Sequence, residues 1–377
     1  MPARYAAAMP QPSDPLAPRA FKGRGAASNP QGRFESIRHH AEDDGWQSAL
    51  LDEEAPRPRT EVTEERARSV ITRNDSPDIH FTQAMNPYRG CEHGCIYCFA
   101  RPSHSYLNLS PGLDFETKLR AKSNLAEVLR HELSRPGYRV EPINIGSNTD
   151  PYQPIEKRWC LTRAALELLA ECGHPCTIVT KNALVERDLD LLAPMAKAGL
   201  VQVFVSVNSL DNHLAAKLEP RASAPHRRIQ AIRALADAGV PVGVLVAPII
   251  PALNDRDMEA VLEQAADAGA RCAGYTVVRL PHELKALVRE WLAVATTTAT
   301  SARACAGRAC SPTCSNAASR SPAANTASAA PASCSSTPPA SSRHVSRRHR
   351  VSCSRRKSVL GCAEAFAEPC PRCFTSS

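Results

Sequence analysis

The sequence predicts an α/β fold built on a parallel sheet, either an open doubly wound sheet or a partial barrel. Six short runs rich in β-branched and apolar residues recur between about residues 82 and 293, and each leaves room for one helix before the next. Three of the helical stretches end in glycine, at Gly199, Gly239 and Gly269, as helices commonly do. The runs are almost continuously apolar, which indicates strands that are covered on both faces.

Each strand is expected from its own apolar run. The first strand lies just before Asn86, and the other five are expected at residues 142–147 (PINIGS), 176–181 (CTIVTK), 201–207 (VQVFVSV), 241–248 (PVGVLVAP) and 272–278 (CAGYTVV). Helical periodicity predicts the connecting helices at residues 118–134, 162–172, 186–198, 225–238, 255–268 and 282–293. Six β/α units in this region make a parallel sheet.

Composition divides the chain into three parts. Residues 1–60 mix Pro, Arg, Ala and acidic residues without a sustained apolar period, and they are predicted to form a disordered leader. Residues 61–293 are predicted to form the folded core domain. Residues 294–377 are predicted to be a disordered, low-complexity tail of Ala, Ser, Arg and Cys, and the abrupt change inside a predicted helix suggests out-of-frame coding as its origin.

The distribution of charge and apolar residues bears on the class of protein. The tail carries a net charge of +9 and the remainder −1, so the basic balance of the whole chain does not indicate a nucleic-acid-binding domain. No run approaches the eighteen apolar residues that a membrane span needs, and the N-terminus lacks the pattern of a signal peptide. A cytoplasmic protein without a membrane partner is therefore expected, and clustered thiols there favour metal binding over disulfides.

Three cysteines in the loop after the first strand carry the chemistry. Cys91, Cys95 and Cys98 are spaced C-x3-C-x2-C in the run NPYRGCEHGCIYCFARPSH. Three thiolates can hold three irons of a 4Fe–4S cluster and leave the fourth iron without a protein ligand, so that it can bind a substrate-like chelate. A zinc site is the alternative, with a fourth ligand from His93, His104 or Cys160.

Polar residues follow several of the predicted strands, where the active site of either fold is expected. They are Ser147, Asn148, Thr149 and Asp150 after the second strand, Lys181 and Asn182 after the third, Asn208 and Ser209 after the fourth, and Arg279 after the sixth. Two further polar clusters, at residues 114–116 and 219–221, lie on loops that could face a substrate, although a solvated loop is the more frequent explanation for either.

The cysteine motif, with an aromatic residue before its third cysteine and six β/α units around it, resembles the radical S-adenosylmethionine (SAM) superfamily. Within that superfamily, NPYRGCEHGCIYCFARPSH together with GSNTDPYQPIE and TKN resembles the spore photoproduct lyase-like group, also called DNA repair photolyase-like. The resemblance covers residues 80–292. It implies a (βα)6 partial TIM barrel, and an enzyme in which the cluster cleaves S-adenosylmethionine reductively to a 5'-deoxyadenosyl radical that abstracts hydrogen from a substrate.

The resemblance also assigns roles to individual residues. Cys91, Cys95 and Cys98 would hold the cluster, and Tyr97 would lie over its mouth. Ser147, Thr149 and Asp150 fall where the family binds the methionine amino group, and Lys181 where it meets the methionine carboxylate. Ser206 and Asn208 fall where the ribose hydroxyls are held, with the fifth and sixth strands packing the adenine. The implied partners are an external electron donor of the flavodoxin or ferredoxin type and, by analogy alone, a nucleic acid substrate.

The sequence departs from the spore photoproduct lyase-like pattern at one position that bears on the choice of substrate. The lyases use a cysteine near the end of the second strand as a hydrogen donor, and residues 141–156 of this chain contain none. The substrate therefore does not transfer with the fold. Two rival interpretations stay open: a zinc- or iron–sulfur-binding regulatory protein without turnover, and an inactive truncated relative that lacks whatever normally covers the end of the sheet.

Overall fold

The computed structural model describes residues 21–34, 58–76 and 81–294. Its strands are, in chain order, β1 (Glu61–Glu65), β2 (Ile71–Arg73), β3 (Gln83–Met85), β4 (Tyr88–Arg89), β5 (Lys118–Lys122), β6 (Ile143–Ile145), β7 (Cys176–Thr180), β8 (Val201–Ser206), β9 (Val242–Ile249) and β10 (Cys272–Val277). The predicted tail beyond residue 294 lies outside the described residues, as do residues 1–20, 35–57 and 77–80.

Six of these strands form a parallel sheet in the order in which the chain produces them. The main sheet has the order β10-β9-β8-β7-β6-β3-β2, and only the edge strand β2 runs antiparallel to its neighbour. A doubly wound sheet reverses its strand order at a switch point, and this sheet does not. The sequential order is that of the (βα)6 partial barrel, so the predicted fold class is confirmed.

Helices connect the strands close to where the periodicity predicts them. The α-helices are α1 (Asp114–Thr117), α2 (Leu125–Leu133), α3 (Glu156–Trp159), α4 (Leu161–Cys172), α5 (Leu189–Lys197), α6 (Asn212–Leu218), α7 (Pro225–Asp237), α8 (Met258–Asp267) and α9 (284–294), and the 3-10 helices are Arg101–Leu107, Ala183–Asp188 and Asp255–Asp257. The helices predicted from residues 186 and 255 both contain a 3-10 turn before the α-helix begins. The main apolar core lies between the parallel sheet and its helices.

The prediction of one helix over residues 118–134 is wrong in its first turn. Residues 118–122 form β5, which pairs with β1 in parallel and with β4 antiparallel, and the helix begins only at Leu125. Leu119 and Ala121 are buried, whereas Lys118 is exposed and Arg120 is partly exposed, so these four residues show the period of two that a strand requires. A second, three-stranded sheet therefore lies beside the cysteine loop.

Part of the predicted leader lies against the core domain. Residues 21–34 pack on the segment around residues 110–116, and Ala26 is buried in an apolar cluster with residues of the cysteine loop and α9. The difference arises because this stretch satisfies its backbone groups through side chains of the core rather than through a helix or strand of its own, a contact that composition does not reveal. Within the described residues, no helix is both long and apolar enough to cross a membrane.

Candidate active site at the carboxyl edge of the sheet

The cysteine loop occupies residues 91–98, directly after β4. Two backbone turns shape it, since Gly94 N donates to Cys91 O at 3.4 Å and Cys98 N donates to Cys95 O at 3.2 Å. Cys91 N also donates to Phe115 O at 2.9 Å, which ties the start of the loop to α1. All three thiols are free; Cys91 and Cys95 are buried and Cys98 is partly exposed. The sequence spacing thus becomes one compact loop with three thiols.

Two glycines permit this loop to lie tightly against its surroundings. Gly90 has φ +76° and Gly94 has φ +67°, which glycine adopts readily and other residues resist. A Cβ atom at Gly90 would lie 2.9 Å from Phe115 O, and one at Gly94 would lie 2.8 Å from the Glu116 carboxylate. Neither position has room for a side chain, so the loop conformation depends on both glycines.

The environment of the thiols suits metal ligands better than free nucleophiles. Burial raises the pKa of Cys95 well above its usual range, and the nearby Glu219 carboxylate raises it further, while Lys181 lowers it. Burial and the proximity of Cys91 likewise raise the pKa of Cys98. A thiol that must ionise in such a site needs a strongly charged partner, and a bound metal supplies one.

The donor set fits a cluster better than one metal ion. Within the described residues, no group of three or more His, Cys, Asp or Glu side chains converges on a single-ion site. A cubane cluster binds each thiolate to a different iron, so the three sulfurs need not meet at one point. Of the candidate fourth zinc ligands, His104 has its Nε2 atom 3.0 Å from Lys118 O, and His93 lies between Asp150 and Asn182.

The buried carboxylate of Glu219 joins three elements beside the cysteine loop. It accepts a hydrogen bond from the Tyr97 hydroxyl and forms ion pairs with Arg228 of α7 and with Lys181 Nζ, the latter at 3.2 Å. Sequence reasoning interpreted residues 219–221 as a solvated loop, and for Glu219 this is wrong, because two cations and a phenol satisfy its charge away from water. The contact partners are 9 to 122 residues away along the chain, so no local pattern signals them.

Lys181 directly follows β7, which ends at Thr180. Its ammonium group is 5.8 Å from the centre of the Tyr97 ring and 3.3 Å from Ala247 O on β9. Its side chain is 18% exposed, so it is neither fully buried nor a freely solvated strand-end charge. The structure therefore brings Lys181 together with Tyr97 and the cysteine loop.

Both carboxylate oxygens of Asp150 accept hydrogen bonds from other groups of the protein. One carboxylate oxygen accepts from Thr180 Oγ1 at 2.7 Å and from Tyr152 N at 2.9 Å, and the other accepts from Lys181 N at 2.6 Å and lies 3.4 Å from His93 Nδ1. Burial alone would raise the pKa of Asp150, but His93 and these hydrogen bonds lower it. Its carboxylate thus links the ends of β6 and β7 to the cysteine loop.

Ser147 and Thr149 are both linked to Asn86, at the end of β3. Asn86 Nδ2 donates to Ser147 Oγ at 3.2 Å, and Asn86 Oδ1 accepts from Thr149 N at 3.2 Å. The Thr149 hydroxyl donates to Tyr88 O at 2.9 Å and is buried. Thr149 therefore shapes the turn after β6, whereas Ser147 is partly exposed beside it.

Ser206 and Asn208 lie at the carboxyl end of β8, and both are buried. Asn208 Nδ2 donates to the Tyr97 hydroxyl at 3.4 Å. Its Oδ1 atom is buried and, among the described residues, has no hydrogen-bond partner. An unpaired buried acceptor is costly, so this atom marks a position where a donor from a bound molecule would be stabilising.

A second buried carboxylate was also missed. Residues 114–116 were interpreted as a solvated loop, but the Glu116 side chain is fully buried and ion-paired with Arg101. The sequence carries a weak signal for it, since Phe115 and Leu119 flank Glu116 in an apolar context. The pairing with Arg101, fifteen residues earlier, cannot be read from the sequence.

Comparison with known families decides what kind of domain this is. A model of the radical SAM superfamily matches residues 85–265, from the last residue of β3 through the cysteine loop to α8. This chain carries a radical SAM domain. The superfamily predicted from the cysteine motif is confirmed, and the predicted cofactors, a 4Fe–4S cluster and S-adenosylmethionine, are those of the superfamily. The matched residues contain the three cysteines and each single residue assigned above to a cofactor, whereas Arg279 and the sixth predicted strand lie beyond them.

Three similar proteins span different shares of the chain. An uncharacterized protein of Mycobacterium tuberculosis is 43% identical over 215 residues, which cover 56% of this chain and 62% of the mycobacterial protein. A protein of Pseudomonas phage M6, described as a radical SAM Nalpha-GlyT isomerase, is 25% identical over 180 residues, which cover 47% of this chain and 35% of that protein. The structure of spore photoproduct lyase complexed with dinucleoside spore photoproduct has a TM-score of 0.45 and 20% identity, over 62% of this chain and 66% of that chain.

Proposed function

We propose that this chain is a radical SAM enzyme that holds a 4Fe–4S cluster on Cys91, Cys95 and Cys98 and cleaves S-adenosylmethionine reductively. The observation that carries the proposal is the placement of three free thiols in one loop beside Tyr97 and Lys181. When bound, the two cofactors supply a 5'-deoxyadenosyl radical that removes a hydrogen atom from a substrate. The protein's part is to bind, orient and shield them.

Charge at the site supports the binding of anions. Lys181 and Arg228 are two cations that share one carboxylate, Glu219, so the trio carries a net positive charge in a buried setting. A positive charge at low dielectric favours thiolates and a substrate carboxylate nearby. We assign the methionine carboxylate to Lys181 on this basis.

The remaining predicted contacts divide into two kinds. Asn208 Oδ1, which is buried and unpaired among the described residues, suits a ribose hydroxyl, and Ser206, the last residue of β8, lies two residues before it. Ser147 is partly exposed, and its hydroxyl suits the methionine amino group. Asp150 and Thr149 have their side chains occupied by protein donors and acceptors, so we assign them the role of positioning the strand ends.

An external electron donor of the flavodoxin or ferredoxin type is part of this proposal. Cys98 is partly exposed, and the next residue, Phe99, has 60% of its surface exposed. The cysteine loop therefore reaches the protein surface at this point, which keeps the distance to a docked donor short. Nucleic acid is retained as the substrate class on the motif resemblance alone.

Anaerobic reconstitution with iron and sulfide tests the proposal. We expect about four irons per chain, a reducible cluster and formation of 5'-deoxyadenosine when dithionite and S-adenosylmethionine are added. Cys95→Ser should lose the cluster, whereas Cys172→Ser, on an exposed position of α4, should keep it. A colourless zinc protein would favour the regulatory alternative. A stable cluster without 5'-deoxyadenosine would favour an iron–sulfur regulatory protein or the inactive relative.

A further inference from the structure

The buried Glu116 carboxylate receives hydrogen bonds from two distant parts of the chain. It accepts from Gly25 N at 3.0 Å and from Ala26 N at 2.9 Å, and it pairs with the guanidinium group of Arg101. The Glu116 and Arg101 side chains are both fully buried. We call residues 21–34, which supply the first two donors, the N-terminal strap.

Arg101 carries this link into the cysteine loop. Its Nε atom donates to Cys95 O at 2.8 Å, and one Nη atom donates to Gly94 O at 3.0 Å as well as to Glu116. The other Nη atom donates to both carbonyls of residues 111–112. All five N–H groups of the guanidinium are therefore used, and two of them hold carbonyls between the first and third cysteines.

The strap also lies against the domain without space for a side chain. A Cβ atom at Gly25 would be 1.8 Å from Gly94 O in the cysteine loop, and one at Gly112 would be 2.0 Å from Ser28 O in the strap. Backbone atoms are in contact at both points, and backbone cannot move aside as a flexible side chain does. These contacts therefore fix the position of the strap on the domain.

Beyond Gly25, the strap reaches the last helix of the domain. Ser28 Oγ donates to Glu290 Oε2 at 2.7 Å, and Arg33 pairs with Glu283 at 3.1 Å, both on or next to α9. Ala26 lies in the same apolar cluster as Cys95. The strap thus bridges the cysteine loop and α9.

We propose that the N-terminal strap, through the positioning residues Glu116 and Arg101, holds the cysteine loop in its ligand-ready conformation before any cluster binds. A loop ordered in advance loses less entropy when it takes up its ligand, so binding is tighter. The inference rests on the proposed function for what the loop binds. The contact of the strap with the loop is a property of the cluster-free protein and can be measured there.

Alkylation of the cysteines in the reduced, cluster-free full-length protein tests the proposal. Iodoacetamide labelling followed by peptide mass spectrometry gives a rate for each thiol. In Glu116→Gln and Gly25→Ala, Cys95 should react at least about tenfold faster than in the wild type. Glu116→Gln weakens hydrogen bonds to a buried charge, and Gly25→Ala leaves no room for the strap to lie against the cysteine loop. Lys22→Ala, at an exposed position of the strap, is the matched control and should leave the rate unchanged.

Cys176, buried in β7, reports global unfolding in the same experiment. If Cys95 becomes reactive while Cys176 stays protected, the strap holds the loop. An unchanged Cys95 rate in both variants would overturn the proposal. If Cys176 becomes reactive in both Glu116→Gln and Gly25→Ala, the same measurement is made on a chain that lacks residues 1–34. Reactive Cys176 in that chain too would mean that the strap stabilises the whole domain and not the loop in particular, which would also overturn the proposal.

Iron retention separates this inference from the proposed function. After reconstitution, a chelator should remove iron at least about tenfold faster from Glu116→Gln than from the wild type or Lys22→Ala. If no variant or wild-type protein binds a cluster, the proposed function fails while the alkylation rates still report on the strap. If the wild type, Glu116→Gln, Gly25→Ala and Lys22→Ala all retain iron equally although the loop has become reactive in the first two variants, the strap has no part in holding the ligand.

Discussion

At the scale of single residues, the site depends on buried carboxylates whose charges are matched by cations from distant parts of the chain. Burial alone would raise the pKa of Glu219, but Arg228 and Lys181 lower it to about 2. The carboxylate therefore stays ionised at neutral pH and fixes both the Tyr97 hydroxyl and the lysine at the end of β7. Removing one member of such a group leaves the others charged and unpaired in the interior.

Glu219→Gln should therefore be strongly destabilising. We expect the free energy of unfolding to fall by about 3–5 kcal/mol, since Arg228 loses its buried partner. Glu186→Gln is the matched control, because Glu186 pairs at 3.2 Å with Arg227, the neighbour of Arg228 on α7, at the surface. Loss of that surface pair in Glu186→Gln should lower the free energy of unfolding by less than about 1 kcal/mol. Urea unfolding of the cluster-free proteins measures both, and equal losses would contradict the burial argument.

At the scale of elements, strand β5 shows how a short segment takes its conformation from its neighbours. Its residues were predicted as the first turn of a helix, and they pair instead with β1 and β4. This pairing buries Lys122 at the end of the strand. Burial and the nearby Arg89 lower the pKa of Lys122 to about 8, against the opposing influence of Glu65 and Glu132.

The shifted lysine predicts a pH dependence of stability. Between pH 8 and about 10.5 the unfolded chain binds the Lys122 proton and the folded chain does not, so this residue makes stability rise with pH in that window. Lys122→Met should be more stable than the wild type at pH 7 by up to about 3 kcal/mol, and the difference should shrink towards pH 10. Denaturant unfolding at both pH values measures this. Lys118→Met, on the exposed end of the same strand, should show no such change, and a constant difference for Lys122→Met would refute the prediction.

At the scale of the whole molecule, the described residues contain a sheet and helices that bury one main core. Among the described residues, the buried members of that core lie between Ala67 and Ala268. The last described element, α9, closes a smaller cluster with Leu284 and Leu287, which also contains Cys95. The predicted domain boundary near residue 293 stays a prediction.

Truncation tests the boundary. A chain that ends at Val294 should unfold with a free energy within about 1 kcal/mol of the full chain, because it keeps every described residue of the main core. A chain that ends at residue 280 loses the buried Leu284 and Leu287 and should be less stable by about 3–6 kcal/mol. Urea unfolding compares the three chains. A large loss in the first truncation would place stabilising residues in the tail.

The sequence by itself determined the α/β class, the six parallel strands with most of their connecting helices, and the three cysteines, because these depend on periodicity and spacing within short windows. It also led to Lys181 and Asn208, since polar residues after parallel strands meet at one edge of the sheet. Only the tertiary structure decided that Glu219 and Glu116 are buried, that Asp150 is occupied by protein donors and that residues 21–34 lie on the cysteine loop. Each of these depends on contacts between residues far apart in the chain, and the burial of a charge is settled by its partners and not by its neighbours in sequence.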